Sequence, residues 1–178
     1  MNLPNSLTIL RVILIPFFVI FMKSDLGGAG KYIALAIYII ASLTDSLDGY
    51  LARKNHQVTN FGKFMDPLAD KLLVCSAMIC LVQMNRLADW IVIIIISREF
   101  IISGFRLVAS DNGIVIAASW RGKSKTIAQM IMTILLIADL GGFFNTLENL
   151  FVLLALVLTI ISLIDYIAKN INVLSMQK

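Results

Sequence analysis

The chain alternates between long apolar stretches and short polar or glycine-containing connections. A helix that crosses a bilayer needs about 20 mostly apolar residues, and stretches near that length recur along almost the whole chain. Extended strands with open edges are excluded from such stretches, because unpaired backbone groups in hydrocarbon are costly. We therefore predict an all-α fold, a polytopic membrane protein with six transmembrane helices, over Leu7–Met22, Tyr32–Ala52, Pro67–Gln83, Ala88–Val108, Ser124–Leu140 and Leu147–Ala168.

The connections between these stretches contain residues that favour turns. Glycine, asparagine and aspartate recur in Leu26–Gly30, Asn55–Asn60, Asp111–Gly113 and Gly141–Gly142. Because the connections are short, we expect a compact helical bundle. The length of 178 residues fits one folding unit, so we predict a single membrane domain over residues 1–178.

The composition agrees with a membrane environment. Hydrophobic residues make up 59% of the chain and charged residues 15%, and the mean hydropathy is +0.89. These values exclude a disordered chain, a secreted disulfide scaffold and an ordinary cytosolic enzyme. The net charge is +4, but no aromatic and basic nucleic-acid module is visible, so we expect no nucleic-acid partner.

The distribution of Lys and Arg predicts the orientation in the membrane, because basic residues accumulate on the cytoplasmic side. If the N-terminus lies inside, 12 of the 15 basic residues lie toward the cytoplasm and three, Lys23, Lys31 and Arg86, lie outside. We therefore predict a multi-pass protein of the cell membrane with both termini in the cytoplasm.

Four carboxylates form two pairs within the predicted membrane segments. Asp45 and Asp48 are three residues apart, and Asp66 and Asp70 are four apart, so each pair lies on one helical face. Four carboxylates at close range disfavour one another's ionisation unless cations are present. Oxygen ligands without His or Cys suit Mg²⁺ or Mn²⁺, and two such ions could clamp a diphosphate. The alternative is that these acids form structural ion pairs with neighbouring Arg53, Lys63 or Lys71.

Small residues lie between the two pairs. Gly49 and Ala52 allow close approach of a ligand, although residues of this kind also serve helix packing. Arg53, one turn beyond Gly49, can offer two parallel hydrogen bonds to a phosphate.

The spacing of these residues is more specific than the residues themselves. Asp45-Ser46-Leu47-Asp48-Gly49-Tyr50-Leu51-Ala52-Arg53, then Gly62, Asp66 and Asp70 after gaps of eight, three and three residues, resembles the signature of the CDP-alcohol phosphatidyltransferase family. The resemblance implies six transmembrane helices, a homodimer and a metal-dependent site that opens to the cytoplasm. It implies that Asp45, Asp48, Asp66 and Asp70 hold two Mg²⁺ or Mn²⁺ ions, and that Asp70 is also the general base. It further implies that Gly49, Ala52, Arg53, Thr59 and Gly62 contact a CDP-linked lipid.

A basic cluster lies in the second half of the chain. Arg98 and Arg106 are eight residues apart on the fourth predicted helix, and Arg121, Lys123 and Lys125 lie at the start of the fifth. Cations beside a helix N-terminus form a plausible phosphate receptor. The alternative is the basic belt that a cytoplasmic membrane surface requires in any case.

Three further segments narrow the resemblance. Asn2–Arg11 (NLPNSLTILR), Arg98–Phe100 with Arg106, and Gly122–Thr126 resemble the bacterial phosphatidylglycerophosphate synthase branch of the family. This implies transfer of a phosphatidyl group from CDP-diacylglycerol to glycerol 3-phosphate, with membrane lipid around the protein. The resemblance also implies that Asn5 and Thr8 help to position the nucleotide. Without the resemblance, Asn5 would be interpreted only as a cap of the first helix.

Two alternative functions remain open from the sequence. One is the same chemistry with serine or inositol phosphate as the acceptor. The other is a small cation carrier, although a carrier would often show two related halves or broken helices. Asp139 and Asp165 have no obvious partner; Asp165 could contribute to a dimer contact or a polar seam.

Overall fold

The computed structural model describes residues 3–24, 26, 28–54, 60–111 and 120–170, with the side chains of 3–5, 45–54, 60–64, 111 and 121 left aside. This part of the chain contains six α-helices and no strand, which confirms the all-α prediction. The helices are α1 (Leu3–Lys23), α2 (Ala29–Lys54), α3 (Asn60–Gln83), α4 (Asp89–Asp111), α5 (Trp120–Ala138) and α6 (Phe143–Asn170).

Helix α3 begins seven residues earlier than we predicted, at Asn60 instead of Pro67. The predicted span begins at Pro67, and proline is indeed common in the first turn of a helix. Within a helix, proline removes one backbone hydrogen bond and crowds the preceding turn, yet α1 also contains a proline, Pro16. Both helices therefore continue through a proline.

The helix ends confirm that turn-forming residues mark the connections. Gly28 has φ +86° just before α2, and Gly141 and Gly142 have φ +73° and +56° before α6. The detailed geometry at the end of α3 was not predicted. Asn85 has φ 56°. Its amide donates to the Val82 carbonyl, and the amide of Arg86 donates to the Leu81 carbonyl. This pair of bonds is a Schellman motif, which satisfies carbonyls at the helix end.

The helices group into two packed units. The first contains α1, α2 and α3 with Leu136–Ala138, and the second contains α4, the rest of α5 and α6.

In the first unit, α1 packs against both α2 and α3. Each helix buries a line of residues spaced three or four apart, which is the spacing of one helical face. The rings of Phe18 and Tyr38 lie 6.1 Å apart between α1 and α2. The three lines of buried residues are Thr8, Arg11, Ile15, Phe18 and Met22 on α1, Ala34, Tyr38 and Ala41 on α2, and Ala69, Leu73, Ala77 and Leu81 on α3.

In the second unit, α4 packs against α6. The ring of Phe105 meets the ring of Tyr166 edge to face at 6.2 Å. Helix α6 buries Ala155, Thr159, Ser162 and Tyr166 on one face. Three of these four side chains carry a hydroxyl, so the packed face of this apolar helix is polar.

Within the described residues, two helices are long and apolar enough to cross a membrane, over Ser6–Lys23 and Phe143–Asn170. Ala29–Thr44 is a shorter apolar helix.

Candidate functional site

A hydrogen bond between α1 and α3 brings two predicted site residues together. The hydroxyl of Thr8 donates to Oδ1 of Asp66 at 2.5 Å. The Thr8 side chain is fully buried, whereas Asp66 is partly exposed. Both residues lie in the first two turns of their helices. The contact therefore joins the N-terminal parts of α1 and α3.

Asp70 follows Asp66 by one turn of α3, so the two carboxylates lie on the same face of the helix with Cβ atoms about 5–6 Å apart. Both are partly exposed. Continuing by steps of three and four residues leads from Asp70 to the buried Leu73 and Ala77. The two acids therefore lie where the packed face of α3 changes from apolar to acidic.

On the packed faces of α1 and α2, the residues also change from apolar to polar along the helix. On α1, the buried line ends in Thr8 and Arg11. On α2, positions 45 and 48 continue the register of Tyr38 and Ala41, although the side chains of Asp45 and Asp48 lie outside the description.

Several other predicted residues also fall outside the described side chains. Their backbone positions lie on helices, with the exception of Thr59, which lies wholly outside the described residues. These positions are Asn5 on α1, Gly49, Ala52 and Arg53 on α2, Gly62 on α3 and Arg121 on α5.

Among the described side chains, no group of three acids, cysteines or histidines comes together. Asp66 and Asp70 are the two predicted metal ligands within that set. Their carboxylate oxygens are the donors that Mg²⁺ and Mn²⁺ prefer, and the Thr8 hydroxyl engages Asp66 as an outer partner of a metal ligand would. The described part of the site therefore fits a divalent metal.

The second unit contains a buried ionic network that links α4 and α5. Oε1 of Glu99 accepts hydrogen bonds from Nη1 of Arg98, at 2.9 Å, and from Nζ of Lys125. The side chains of Arg98 and Lys125 are 9% and 2% exposed, and that of Glu99 is 19% exposed. One carboxylate thus balances part of the charge of two predicted phosphate-binding cations.

The network extends to α6, because Nε of Arg98 donates to the Ser162 hydroxyl at 3.1 Å. That hydroxyl in turn donates to the Thr159 carbonyl at 3.0 Å. A single arginine therefore ties α4 to α6 as well as to Glu99. A partial signal for this contact is present in the sequence, since Thr159, Ser162 and Tyr166 recur on one face of an otherwise apolar helix.

The other two cations of the predicted basic cluster whose side chains the structure describes are exposed and lie over aromatic rings. The guanidinium of Arg106 lies 5.9 Å from the centre of the Tyr166 ring, and Nζ of Lys123 lies 6.0 Å from that of Trp120. Both distances suit cation–π attraction. The predicted basic cluster thus contains two kinds of residue: Arg98 and Lys125 are buried on Glu99, whereas Arg106 and Lys123 are accessible.

The structure also describes two acids that the sequence left unexplained. Asp165 pairs with Lys169 one turn later at 3.0 Å. Asp139 follows α5 with φ 48°, and its amide donates to the Leu135 carbonyl at 3.1 Å. Asp165 has a partner on its own helix, and Asp139 lies at a helix end rather than inside an apolar helix.

Comparison with known proteins identifies the relatives of the chain. A protein from Bacillus subtilis named CDP-diacylglycerol--glycerol-3-phosphate 3-phosphatidyltransferase is 44% identical, over 95% of each chain. A protein of the same name from Haemophilus influenzae is 43% identical, over 93% of this chain and 91% of the relative. A probable phosphatidylglycerophosphate synthase from Mycobacterium tuberculosis is 38% identical, over 96% and 82%.

The family comparison agrees with the signature of acids and small residues on α2 and α3. The model of the CDP-alcohol phosphatidyltransferase family matches residues 1–161, which include five of the six helices and most of the sixth. The chain therefore belongs to the CDP-alcohol phosphatidyltransferase family.

Proposed function

We propose that the chain transfers the phosphatidyl group of CDP-diacylglycerol to glycerol 3-phosphate, with release of CMP. The relatives from Bacillus subtilis and Haemophilus influenzae bear the name of this activity and align with more than nine-tenths of the chain. The observation that carries the proposal is the carboxylate pair of α3, Asp66 and Asp70, which lies in the family signature and of which Asp66 accepts a hydrogen bond from Thr8 of α1.

The four signature carboxylates, Asp45, Asp48, Asp66 and Asp70, would hold two divalent metal ions, Mg²⁺ or Mn²⁺. When bound, these ions supply positive charge that neutralises a diphosphate and makes CMP a competent leaving group. The donor chemistry of Asp66 and Asp70 supports this assignment, since both offer hard oxygen ligands.

Asp70 is the residue that we assign as the general base. It accepts the proton of the acceptor hydroxyl, and the alcohol oxygen forms a bond to the phosphorus that carries diacylglycerol. The bond between that phosphorus and the oxygen of CMP breaks, and CMP leaves with the electron pair. The products are phosphatidylglycerol phosphate, CMP and the protonated base.

The residues around the signature are assigned to the lipid nucleotide. Arg53 would bind its phosphates, and the small residues Gly49, Ala52 and Gly62 would leave room for it, with Asn5 and Thr59 near the nucleotide.

For the acceptor phosphate, the described geometry favours the accessible cations. Arg106 and Lys123 expose their charged groups, whereas Arg98 and Lys125 direct theirs to Glu99. We therefore assign direct phosphate contact first to Arg106 and Lys123, and a supporting role to Arg98 and Lys125. Arg121 belongs to the same proposed phosphate site on its sequence position alone.

The distribution of polar and apolar side chains supports a membrane location. On α1 the buried line begins with Thr8 and Arg11, while the opposite, exposed face consists of Leu10, Ile13, Phe17 and Ile20. A water-soluble helix has the reverse arrangement, since exposed faces are normally polar. We propose that all six helices cross the cell membrane, with both termini and the active site at the cytoplasm, and that the protein is a homodimer as the family resemblance implies.

The proposed function is tested by CMP release from CDP-diacylglycerol by the purified protein in detergent. The acceptors would be glycerol 3-phosphate, serine, inositol 1-phosphate and none, each with Mg²⁺, Mn²⁺ or a chelator. We expect release with glycerol 3-phosphate and metal. Release with serine or inositol 1-phosphate instead would refute the assigned acceptor, and no release with any acceptor would refute the transferase assignment.

A further inference from the structure

The hydrogen bond of Thr8 differs from those of the other buried threonines that the structure describes. The hydroxyls of Thr133 and Thr159 donate to carbonyls four residues earlier on their own helices, at 2.9 and 2.6 Å. Such bonds are a usual way to satisfy a threonine inside a helix. Thr8 donates to a carboxylate 58 residues away, on a different helix.

We propose that Thr8 is a positioning residue for Asp66 and that it acts through this carboxylate on the binding of divalent metal. The inference rests on the proposed function, because it takes Asp66 as a metal ligand. It also changes the role expected from the sequence, in which Thr8 contacts the CDP-linked lipid.

The burial of Thr8 supports this role. Its side chain has no exposed surface, so its hydroxyl contacts Asp66 and does not lie on a surface that a ligand could touch. Threonine is also stiff about its first side-chain torsion, because two heavy atoms branch from Cβ. A donor on a stiff, fully buried side chain holds the carboxylate in one orientation at little further entropic cost.

The chemistry of the carboxylate leaves room for a metal. An ionised aspartate has about four acceptor sites on its two oxygens, and the Thr8 hydroxyl supplies one proton to one of them. The remaining sites stay available as metal ligands. Hydrogen-bonded partners of metal ligands orient them, and their removal typically lowers metal affinity about 10- to 100-fold.

The test compares Thr8→Val, which replaces the hydroxyl with a methyl of similar size, with Thr8→Ser, which keeps the hydroxyl. The matched control is Thr133→Val, which removes an equally buried hydroxyl that bonds within its own helix. The first readout is Mn²⁺ binding to each purified protein without substrates, followed by the electron paramagnetic resonance signal of free Mn²⁺. The second is the Mn²⁺ concentration that gives half-maximal CMP release.

We expect Thr8→Val to weaken Mn²⁺ binding about 10- to 100-fold and to raise the half-maximal Mn²⁺ concentration in parallel. Thr8→Ser should stay near the wild type in both readouts, and so should Thr133→Val. At saturating Mn²⁺, the KM of Thr8→Val for glycerol 3-phosphate should be unchanged. Should Thr8→Val not yield folded protein, Thr8→Cys replaces it as the variant with a weak donor, and a smaller loss of Mn²⁺ affinity in the same direction is expected.

Two results would overturn the inference. One is wild-type Mn²⁺ affinity in Thr8→Val. The other is a raised KM for CDP-diacylglycerol with unchanged Mn²⁺ affinity, which would make Thr8 a substrate contact instead. Failure of the proposed function looks different, since the wild-type protein itself would then release no CMP with glycerol 3-phosphate, whatever its Mn²⁺ affinity.

Discussion

The ionic network of the second unit provides the sharpest test of how the structure is held together. Lys125 is 2% exposed, and its ammonium donates to Oε1 of Glu99, which also accepts from Arg98. Lys125→Met keeps the length and apolar stem of the side chain and removes its charge. The substitution leaves Glu99, which is 19% exposed, with one cationic partner in place of two.

The size of the effect follows from that geometry. Removal of one partner from a buried ion pair typically destabilises a protein by about 3–5 kcal/mol, because the other charge remains buried and uncompensated. Glu99 keeps Arg98 and retains some exposure, so we expect the lower end, about 3 kcal/mol. For a protein of this size that corresponds to a fall in the unfolding midpoint of about 6–12 °C.

The assay is thermal unfolding in detergent, followed by far-ultraviolet circular dichroism of the helices. Lys123→Met is the matched control, because Lys123 lies two residues away, is exposed, and contacts the Trp120 ring at 6.0 Å. We expect it to cost less than about 1 kcal/mol. The double variant Glu99→Gln with Lys125→Met removes two of the three charges of the network and leaves that of Arg98. It should be more stable than the sum of the two single effects predicts.

A fall in the midpoint for Lys125→Met no larger than for Lys123→Met would refute this account of the network. Strict additivity in the double variant would also refute it, since two residues in direct contact should show a coupling energy. Either result would return Lys125 to the role that its sequence position first predicted, as a cation kept for the acceptor phosphate.

Three further predictions concern the reaction. Asp70→Asn should lower turnover about 100-fold or more while leaving the helix content unchanged, because it removes the proposed base; CMP release and circular dichroism together check this. Arg106→Ala should raise the KM for glycerol 3-phosphate about tenfold or more, with a smaller change for CDP-diacylglycerol; equal changes in steady-state kinetics would place Arg106 elsewhere. Treatment with a chelator should reduce CMP release to background, and added Mg²⁺ or Mn²⁺ should restore it; full activity after metal removal would contradict the metal-dependent mechanism.

The helices could be predicted from the sequence because their connections carry residues with special backbone needs. Gly28, Gly141 and Gly142 have positive φ, which glycine adopts readily, and each lies within a predicted break. The start of α3 was misplaced, because the predicted span begins at Pro67 whereas α3 extends back to Asn60 through the proline. Local sequence does not show whether the residues before a proline continue a helix, since tertiary packing decides this.

The candidate site was predictable where its geometry is local to one helix. The spacing of Asp66 and Asp70 fixes a common face for both acids as soon as α3 is a helix. The bond from Thr8 to Asp66 joins residues 58 apart, and it exists because α1 packs on α3. Likewise, Arg98 and Lys125 were predicted to bind the acceptor phosphate, whereas in the fold both contact Glu99.

The change from apolar to polar residues along the packed faces of the first unit also bears on function. Burial of a polar group is costly unless it is hydrogen-bonded, and apolar residues of similar size would pack as well. Packing alone therefore does not explain why the buried face of α1 begins with a threonine and an arginine, Thr8 and Arg11, that are at most 1% exposed. The same face of α3 begins with Asp66 and Asp70. Both helices therefore begin with polar residues on their packed faces, and the hydrogen bond from Thr8 to Asp66 joins them. A site for a charged ligand requires such residues at that end of the unit.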